Sequence, residues 1–353
     1  MKKIALYMIA ASLVIIQGCS DFLDNKPKGI TIPSQYEDYE KLLNGINSTV
    51  SSTPLYLTDD IKFLDNTASA AGYIYLNQSD EVRNLFSFQP GQIYLAGEKD
   101  YLWNEAYDRL FTYNTVINEV VNSVGNSEAQ KQRVRAEALI GRALDYLYLV
   151  NIYAKQYDPA TAATDYGIPY IKEGNINLKY VRNTVAEVYD NIIADINEAL
   201  PNLSQQVSYT THPNKLSATA LLAKVYLCMG DYQKALACAN DVLASKKDLL
   251  NLNDYEIKDG VTWGRVHLKG DESAQLPDIY NPEAIYCRFS SGELRTSVLA
   301  SDDLRQVFKK DLPAESKDLR KEYYFAEDQV NLGRTDYFPG ECAYILYIDE
   351  NLG

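Results

Sequence analysis

At 353 residues the chain is long enough for one large domain or two ordinary ones, and 46% hydrophobic with 23% charged residues is an ordinary globular composition. A formal net charge of -14 excludes the basic footprint that nucleic acid requires and disfavours broad adhesion to anionic lipid. The two histidines, His212 and His267, stand far apart without cysteine or carboxylate clusters at ligand spacing, so no metal or cofactor is read from the sequence.

The chain begins with Lys2 and Lys3, followed by an uncharged apolar run from Ile4 to Ile16. That run is shorter than the roughly 20 residues a membrane-spanning helix needs and fits an export signal instead. Gly18 and Cys19 after "VIIQ" look like a lipobox, with 1–18 as the removed signal and Cys19 as the acylated residue. Two or more acyl chains on Cys19 anchor stably where one is marginal. Residues 19–34 read as a soluble tether.

"QYEDYEKLLNGI", Gln35 to Ile46, is expected to be a short amphipathic helix. Residues 47–100 mix Gly, Ser, Asn and Asp with Tyr and Phe and read as loop with short helical turns. Helical periodicity dominates from Tyr101. Leu102, Ala106, Leu110 and Tyr113 share one face, and Val116, Ile117, Val120 and Val121 continue it. "QKQRVRAEALIGRALDYLYLVNIYAKQYD" is apolar nearly all round after Ala143, as a central buried helix is, and Arg142 inside it requires an acceptor or a polar edge. In "RNTVAEVYDNIIADINEALPNL", Thr184 and Glu187 form a capping box and Pro201 ends the run. In "LSATALLAKVYLCMGDYQKALACANDVLAS", Ser217 is read as an N-cap, Gly230 as a stop and Asp231 as the next cap. Ala223, Ala235 and Ala239 let the two helices approach closely, in a spacing that resembles a tetratricopeptide pair.

After Leu250 the pattern breaks into loops, with a short strand expected at "EAIYCRFSS" and a short helix, a turn and a second short segment in "SDDLRQVFKKDLPAESKDLRKEYYF". Cys228 and Cys238 sit in helical context and read as small buried hydrophobes, and disulfide connectivity does not follow from sequence. The 29 tyrosines suit both helix packing and wet binding surfaces.

The blocks "GCSDFLDNKPKG", "YEDYEKLLNG", "YLWNEAYDRLFTYNTVINEV", "RVRAEALIGRALDYLYLVNIYAKQY", "GIPYI", "RNTVAEVYDNIIADINEAL", "SATALLAKVYLCMGDYQKAL", "NPEAIY" and "DLR" resemble, in order and through essentially the whole chain, the SusD/RagB family of outer-membrane nutrient-binding lipoproteins. The resemblance implies a mainly α fold in which tetratricopeptide-like helical pairs, an α-solenoid segment over about 101–249, support a loop-rich ligand-binding face, with 250–353 loop-rich. It implies a binding protein rather than an enzyme. The implied location is the cell surface, on the outer membrane through lipid at Cys19. A SusC-like TonB-dependent β-barrel is the implied partner, and an oligosaccharide or peptide the cargo. Family members usually continue past a block like "YIDENLG" into a further helical segment that returns to the repeats; fragment, truncated product and natural short form stay open, and the solenoid end is exposed if those helices are needed to close the core.

Sugars lack charge and expose C–H faces, so binders stack aromatic rings on them and add Asn, Asp or Arg for the hydroxyls. The loop region 59–100 offers Asp60, Asn66, Tyr73, Tyr75 and Tyr94, and the 255–280 insert offers Trp263 and Arg265. Packing onto the helices is the competing role for each tyrosine, and Trp263, between Gly260 and Gly264, is the leading candidate. Trp103 belongs with the helix core. Two other functions stay open. A surface glycoside hydrolase needs two carboxylates about 5–10 Å apart across a cleft. Asp59–Asp60 and Asp302–Asp303 are merely sequence neighbours, which solvation or capping explains. A tetratricopeptide scaffold lipoprotein would instead bind periplasmic proteins.

Overall fold

The computed structural model describes residues 33–46, 49–50, 56–63, 79–88, 90–91, 93–173, 179–258, 266–275, 281–290, 298–308, 316–326 and 345–346. These are mainly helical. Helix α1 (Tyr36–Ile46) buries Tyr36, Tyr39 and Leu43 along one face, and α2 (Asp80–Phe86) is a short helix in the loop region. Helix α3 (Tyr101–Glu119) starts at Asp100, whose carboxylate accepts from Trp103 N at 2.9 Å. Helix α4 (Glu128–Tyr153) follows a tight turn in which Gly125 and Asn126 take φ values of 88° and 53°. Packed between α3 and α5 (Val185–Ala199), and touching α1 and α6 (Lys215–Cys228), α4 is surrounded, which accounts for its apolar character all round. Helix α7 (Tyr232–Ser245) packs back on α6 after Gly230, whose φ of +75° ends α6, and Asp231 caps α7 as its spacing requires.

Two local readings are sharpened and one is corrected. The Thr184–Glu187 capping box is present, and Pro201 lies in the 3-10 turn that closes α5. Ser217 is not the N-cap of α6. Asn214 takes that place in extended conformation, its Oδ1 accepting from Ser217 N at 2.8 Å while Ser217 Oγ accepts from Asn214 N at 2.7 Å. Asn caps at least as well as Ser, so the earlier residue starts the helix and Ser217 completes a reciprocal box.

Three charged groups on α4 are buried within the stack. Arg142 Nε and Nη2 each donate to Asp195 on α5 at 2.7 Å, and Nη1 donates to Asn114 on α3 at 2.8 Å. Asp145 accepts from Arg109 Nε at 2.9 Å and from Arg288 Nη1 at 2.7 Å. Glu137 meets Arg133 and, at 3.1 Å, His212 Nδ1. Buried pairs add little net stability over apolar packing, but removing one partner leaves an uncompensated charge. They therefore fix which helix face meets which. Gly141, one turn from Asp145, is required by close approach, because a Cβ there would fall on the buried Tyr113 ring.

Tyrosines lace an extended strap onto the helices. Tyr107 OH donates to Pro169 O at 2.8 Å and Tyr146 OH to Ile171 O at 3.0 Å. Ile171 N donates back to Tyr146 OH at 2.6 Å, and Asn114 Nδ2 also reaches Ile171 O, at 2.9 Å. Side chains thus satisfy backbone groups that no sheet partner serves. Tyr146 and Tyr170 stack at 3.9 Å between ring centroids. At Gly167 a Cβ would stand 2.9 Å from Thr184 O, so only glycine lets the strap pass the start of α5.

The remaining elements are short. β1 (Thr49–Val50) pairs in parallel with β6 (Phe289–Ser290). β2 (Ile61–Phe63), β7 (Val298–Ala300), β9 (Ile345–Leu346) and β8 (Phe325–Ala326) form one sheet in that order. α8 (Asp302–Val307) is the expected short helix, and the second short segment forms α9 (Leu319–Tyr324). The 255–280 insert, read as loop, contains an antiparallel sheet of β3 (Tyr255–Ile257), β4 (Val266–Leu268) and β5 (Asp271–Gln275). Strands of three to five residues carry too little alternation to register in sequence, and cross-strand pairing alone defines them. No helix among the described residues is long and apolar enough to cross a membrane. The outer face of α7 leaves Tyr232, Leu236 and Leu243 exposed.

Candidate ligand-binding face

The loop region before Tyr101 has a small core of its own. Buried Ile61 on β2 is packed by Tyr56, Val82 and Phe86, so α2 and the 56–63 segment form one body. Pairing of β2 with β7 sets Ile61 opposite Ala300, and Ser301 N donates to Asp60 O at 2.8 Å. Segments about 240 residues apart in sequence thus share one edge.

This body is fastened to the helical stack where α3 begins and α4 ends. Tyr153 OH, at the end of α4, donates to both Asp100 oxygens at 2.8 and 2.7 Å. Asp100 therefore caps α3 and receives a tyrosine at the same time. The Tyr94 hydroxyl lies beside this group, within electrostatic reach of the Asp100 and Glu81 carboxylates and of Tyr153. Burial, reinforced by the Asp100 carboxylate, pushes the Tyr94 and Tyr153 hydroxyls up and keeps them protonated donors. Burial and then Asp100 also raise Glu81. Asn84 Nδ2 donates to Ile93 O at 2.8 Å and ties α2 to the same strand of chain. Trp103 packs between Tyr107 and Tyr153, with ring centroids at 4.7 and 4.9 Å, on the core side of the junction.

Of the residues nominated from sequence, Asp60 is exposed in the turn before β2. Tyr94 is half-buried, its hydroxyl beside the junction. Cys19, Asn66, Tyr73, Tyr75, Trp263 and Arg265 lie outside the described residues. Sequence reasoning did not single out Glu81, Asp100 and Tyr153, which secure the body. Asp100 was detectable as a cap before an apolar run, whereas its meeting with Tyr153 was not. It also missed Arg288. This side chain enters the core to Asp145, donates to Tyr113 OH at 2.9 Å, and anchors the segment after the insert. Cys287 N, beside it, donates to Thr210 O at 2.9 Å.

The β2–β7 pairing also brings Asp59–Asp60 and Asp302–Asp303 to one edge. All four are exposed, and Ser301 Oγ caps α8 above the second pair. A catalytic acid is normally tuned by burial, and these four lack it.

A protein-family model, SusD-like, described as "Starch-binding associating with outer membrane", matches residues 21–227. SusD-like protein P2 of Formosa agariphila is 28% identical over 250 residues, which are 69% of this chain and 46% of that protein. A SusD-like protein of Bacteroides ovatus is 28% identical over 261 residues, 68% of this chain and 44% of the relative. The chain thus spans about half the length of the curated relatives it matches. A SusD superfamily structure from Bacteroides thetaiotaomicron superposes with a TM-score of 0.59 at 21% identity, covering 83% of this chain and 64% of the other. One from Bacteroides vulgatus gives 0.62 at 17% identity, covering 89% and 68%. These likenesses establish the fold as the helical repeat architecture of those proteins. With more than half of its residues matched by the family model, the chain belongs to the SusD-like family.

Proposed function

We propose that the protein is a non-catalytic, lipid-anchored cell-surface receptor that captures a glycan and passes it to a SusC-like TonB-dependent β-barrel. The observation that carries this reading is the family match over residues 21–227, whose description joins starch binding to the outer membrane. The geometry supports it. A loop body with its own small core is clamped through Asp100 to a rigid helical stack, which suits binding loops positioned by a scaffold. The lipobox at Cys19 supplies the anchor, and the acidic body leaves membrane attachment to the lipid. Asp60, Asn66, Tyr73, Tyr75, Trp263 and Arg265 remain the proposed contacts, with Tyr94 as a support of the face.

The test is calorimetric titration of the full chain, purified in detergent, with maltohexaose, laminarihexaose, cellohexaose and mannohexaose. Binding of at least one, without release of reducing ends, is the expected result. Release of reducing ends would establish the hydrolase instead, and failure of all four sugars would remove glycan capture. Trp263→Ala is expected to weaken the bound sugar, and unchanged affinity removes Trp263 from the site. Co-purification of a large β-barrel tests delivery. Protease shaving of intact cells separates a surface receptor from a periplasmic scaffold.

A further inference from the structure

Helix α2 ends in an unusual way. Ser87 N donates to Arg83 O at 3.0 Å and Phe88 N to Leu85 O at 3.1 Å, and this closure turns Phe88 into the left-handed region with φ 49°. That conformation suits glycine, and asparagine after it, whereas a residue with a bulky side chain loses roughly 1–2 kcal/mol there. Among the described residues, the other non-glycine position with positive φ is Asn126, an ordinary occupant. Phe88 is therefore the outlier.

Burial does not repay the strain, because the ring is 60% exposed. The small core nearby already has its aromatic, since Phe86 packs on Ile61 while Phe88, two residues later, faces water. A strained backbone that presents a large apolar ring to solvent has no stabilising purpose of its own, and such outliers concentrate at ligand sites. The body that carries it is tied by Asn84 to the chain segment that leads into the Asp100 cap of α3, so the ring is offered at low conformational cost. Its helix opens with Asp80, which pairs with Arg83 on the same helix, and Glu81, and Asp59 and Asp60 lie on the segment packed against it, so carboxylates outnumber cations on the two segments. Carboxylates accept hydrogen bonds from hydroxyl groups and repel anions.

We propose that Phe88 is a sugar-stacking residue of the ligand face, and that the glycan it receives is a neutral oligosaccharide. This rests on the glycan-binding reading above and adds a residue and a charge class to it.

The experiment uses the full chain in detergent with the same four hexasaccharides and oligogalacturonate as the anionic probe. Each is titrated against wild type, Phe88→Asn, Phe88→Gly and Phe88→Trp, and the thermal midpoint of each variant is recorded. The expected result is that Phe88→Asn and Phe88→Gly lose about tenfold or more in affinity for the sugar that wild type binds, the scale of one lost aromatic contact. Their thermal midpoints are expected to stay level or rise as the strain is released, while Phe88→Trp keeps its affinity and oligogalacturonate does not bind. Affinity within twofold of wild type in Phe88→Gly and Phe88→Asn overturns the assignment and leaves glycan binding standing. A lower midpoint in both variants overturns it in favour of a structural role. Binding of oligogalacturonate in preference to the hexasaccharides overturns the charge class. If wild type binds none of the probes, the glycan reading fails and the assignment fails with it.

Discussion

Arg142 needs an acceptor on the strength of its helical context, and it has both Asp195 and Asn114. Tyr170 OH also donates to Asp195, at 2.6 Å. Arg142→Met would leave that carboxylate buried with a single hydroxyl donor. The expected loss is about 3–5 kcal/mol of stability, read as a lower urea midpoint with an unchanged slope. A midpoint equal to wild type would mean the pair does not organise the core. His212 gives a pH signature. Its hydrogen bond to Glu137 outweighs burial and raises its pKa above 6.5, with Arg133 opposing and Glu40 assisting. A group raised in the folded state contributes stability fully below its unfolded pKa and loses that contribution as pH rises through the folded value. Wild type should therefore lose thermal stability as pH rises above about 6.5 more steeply than His212→Asn, whose partner bond does not titrate there. Parallel pH profiles for the two proteins would remove His212 from the balance.

At the scale of elements, the junction between the loop body and the stack decides how the ligand face is held. Asp100 caps α3 and receives Tyr153. Asp100→Ala removes the cap, worth about 0.5–2 kcal/mol, and leaves the Tyr153 donor without its acceptor. Hydrogen exchange of 79–99 should accelerate while α5 to α7 keep their protection, and sugar affinity should fall. Equal acceleration throughout the helices would show that Asp100 supports the whole fold rather than this face. The helices themselves were legible because caps and apolar spacing are local. Thr184 with Glu187 and Asp231 stand where the sequence puts them, and only the start of α6 moved, from Ser217 to Asn214. The β3–β5 sheet was not legible, because its strands are brief and acquire meaning only from each other.

At the scale of the whole molecule, the proposed anchoring is tied to charge. A chain with a formal charge of -14 has no electrostatic hold on an anionic leaflet, so the proposed attachment rests on lipid at Cys19. Cys19→Ala should leave the protein unlipidated and release it from the membrane fraction, and retention with the outer membrane would defeat the anchoring argument. If the cargo is neutral, raising salt from about 0.05 to about 0.5 M should leave its affinity unchanged, since screening acts on charge pairs.

The sequence by itself determined the helical succession from Tyr101, most of the caps, and the family. Those features are written in short-range spacing that survives without knowledge of neighbours. Tertiary structure alone decided how the tyrosines divide between straps and surface. It also decided where Arg288 goes and which loops form one body. The reason is physical: Arg288 meets Asp145 across 143 residues and Tyr113 across 175, and Ile61 finds its opposite number near the other end of the described chain. Contacts of that span leave no periodic trace, so Asp60 and Tyr94 are equal candidates on sequence alone. Once folded, one faces water in a turn and the other is half-buried beside the Asp100 junction.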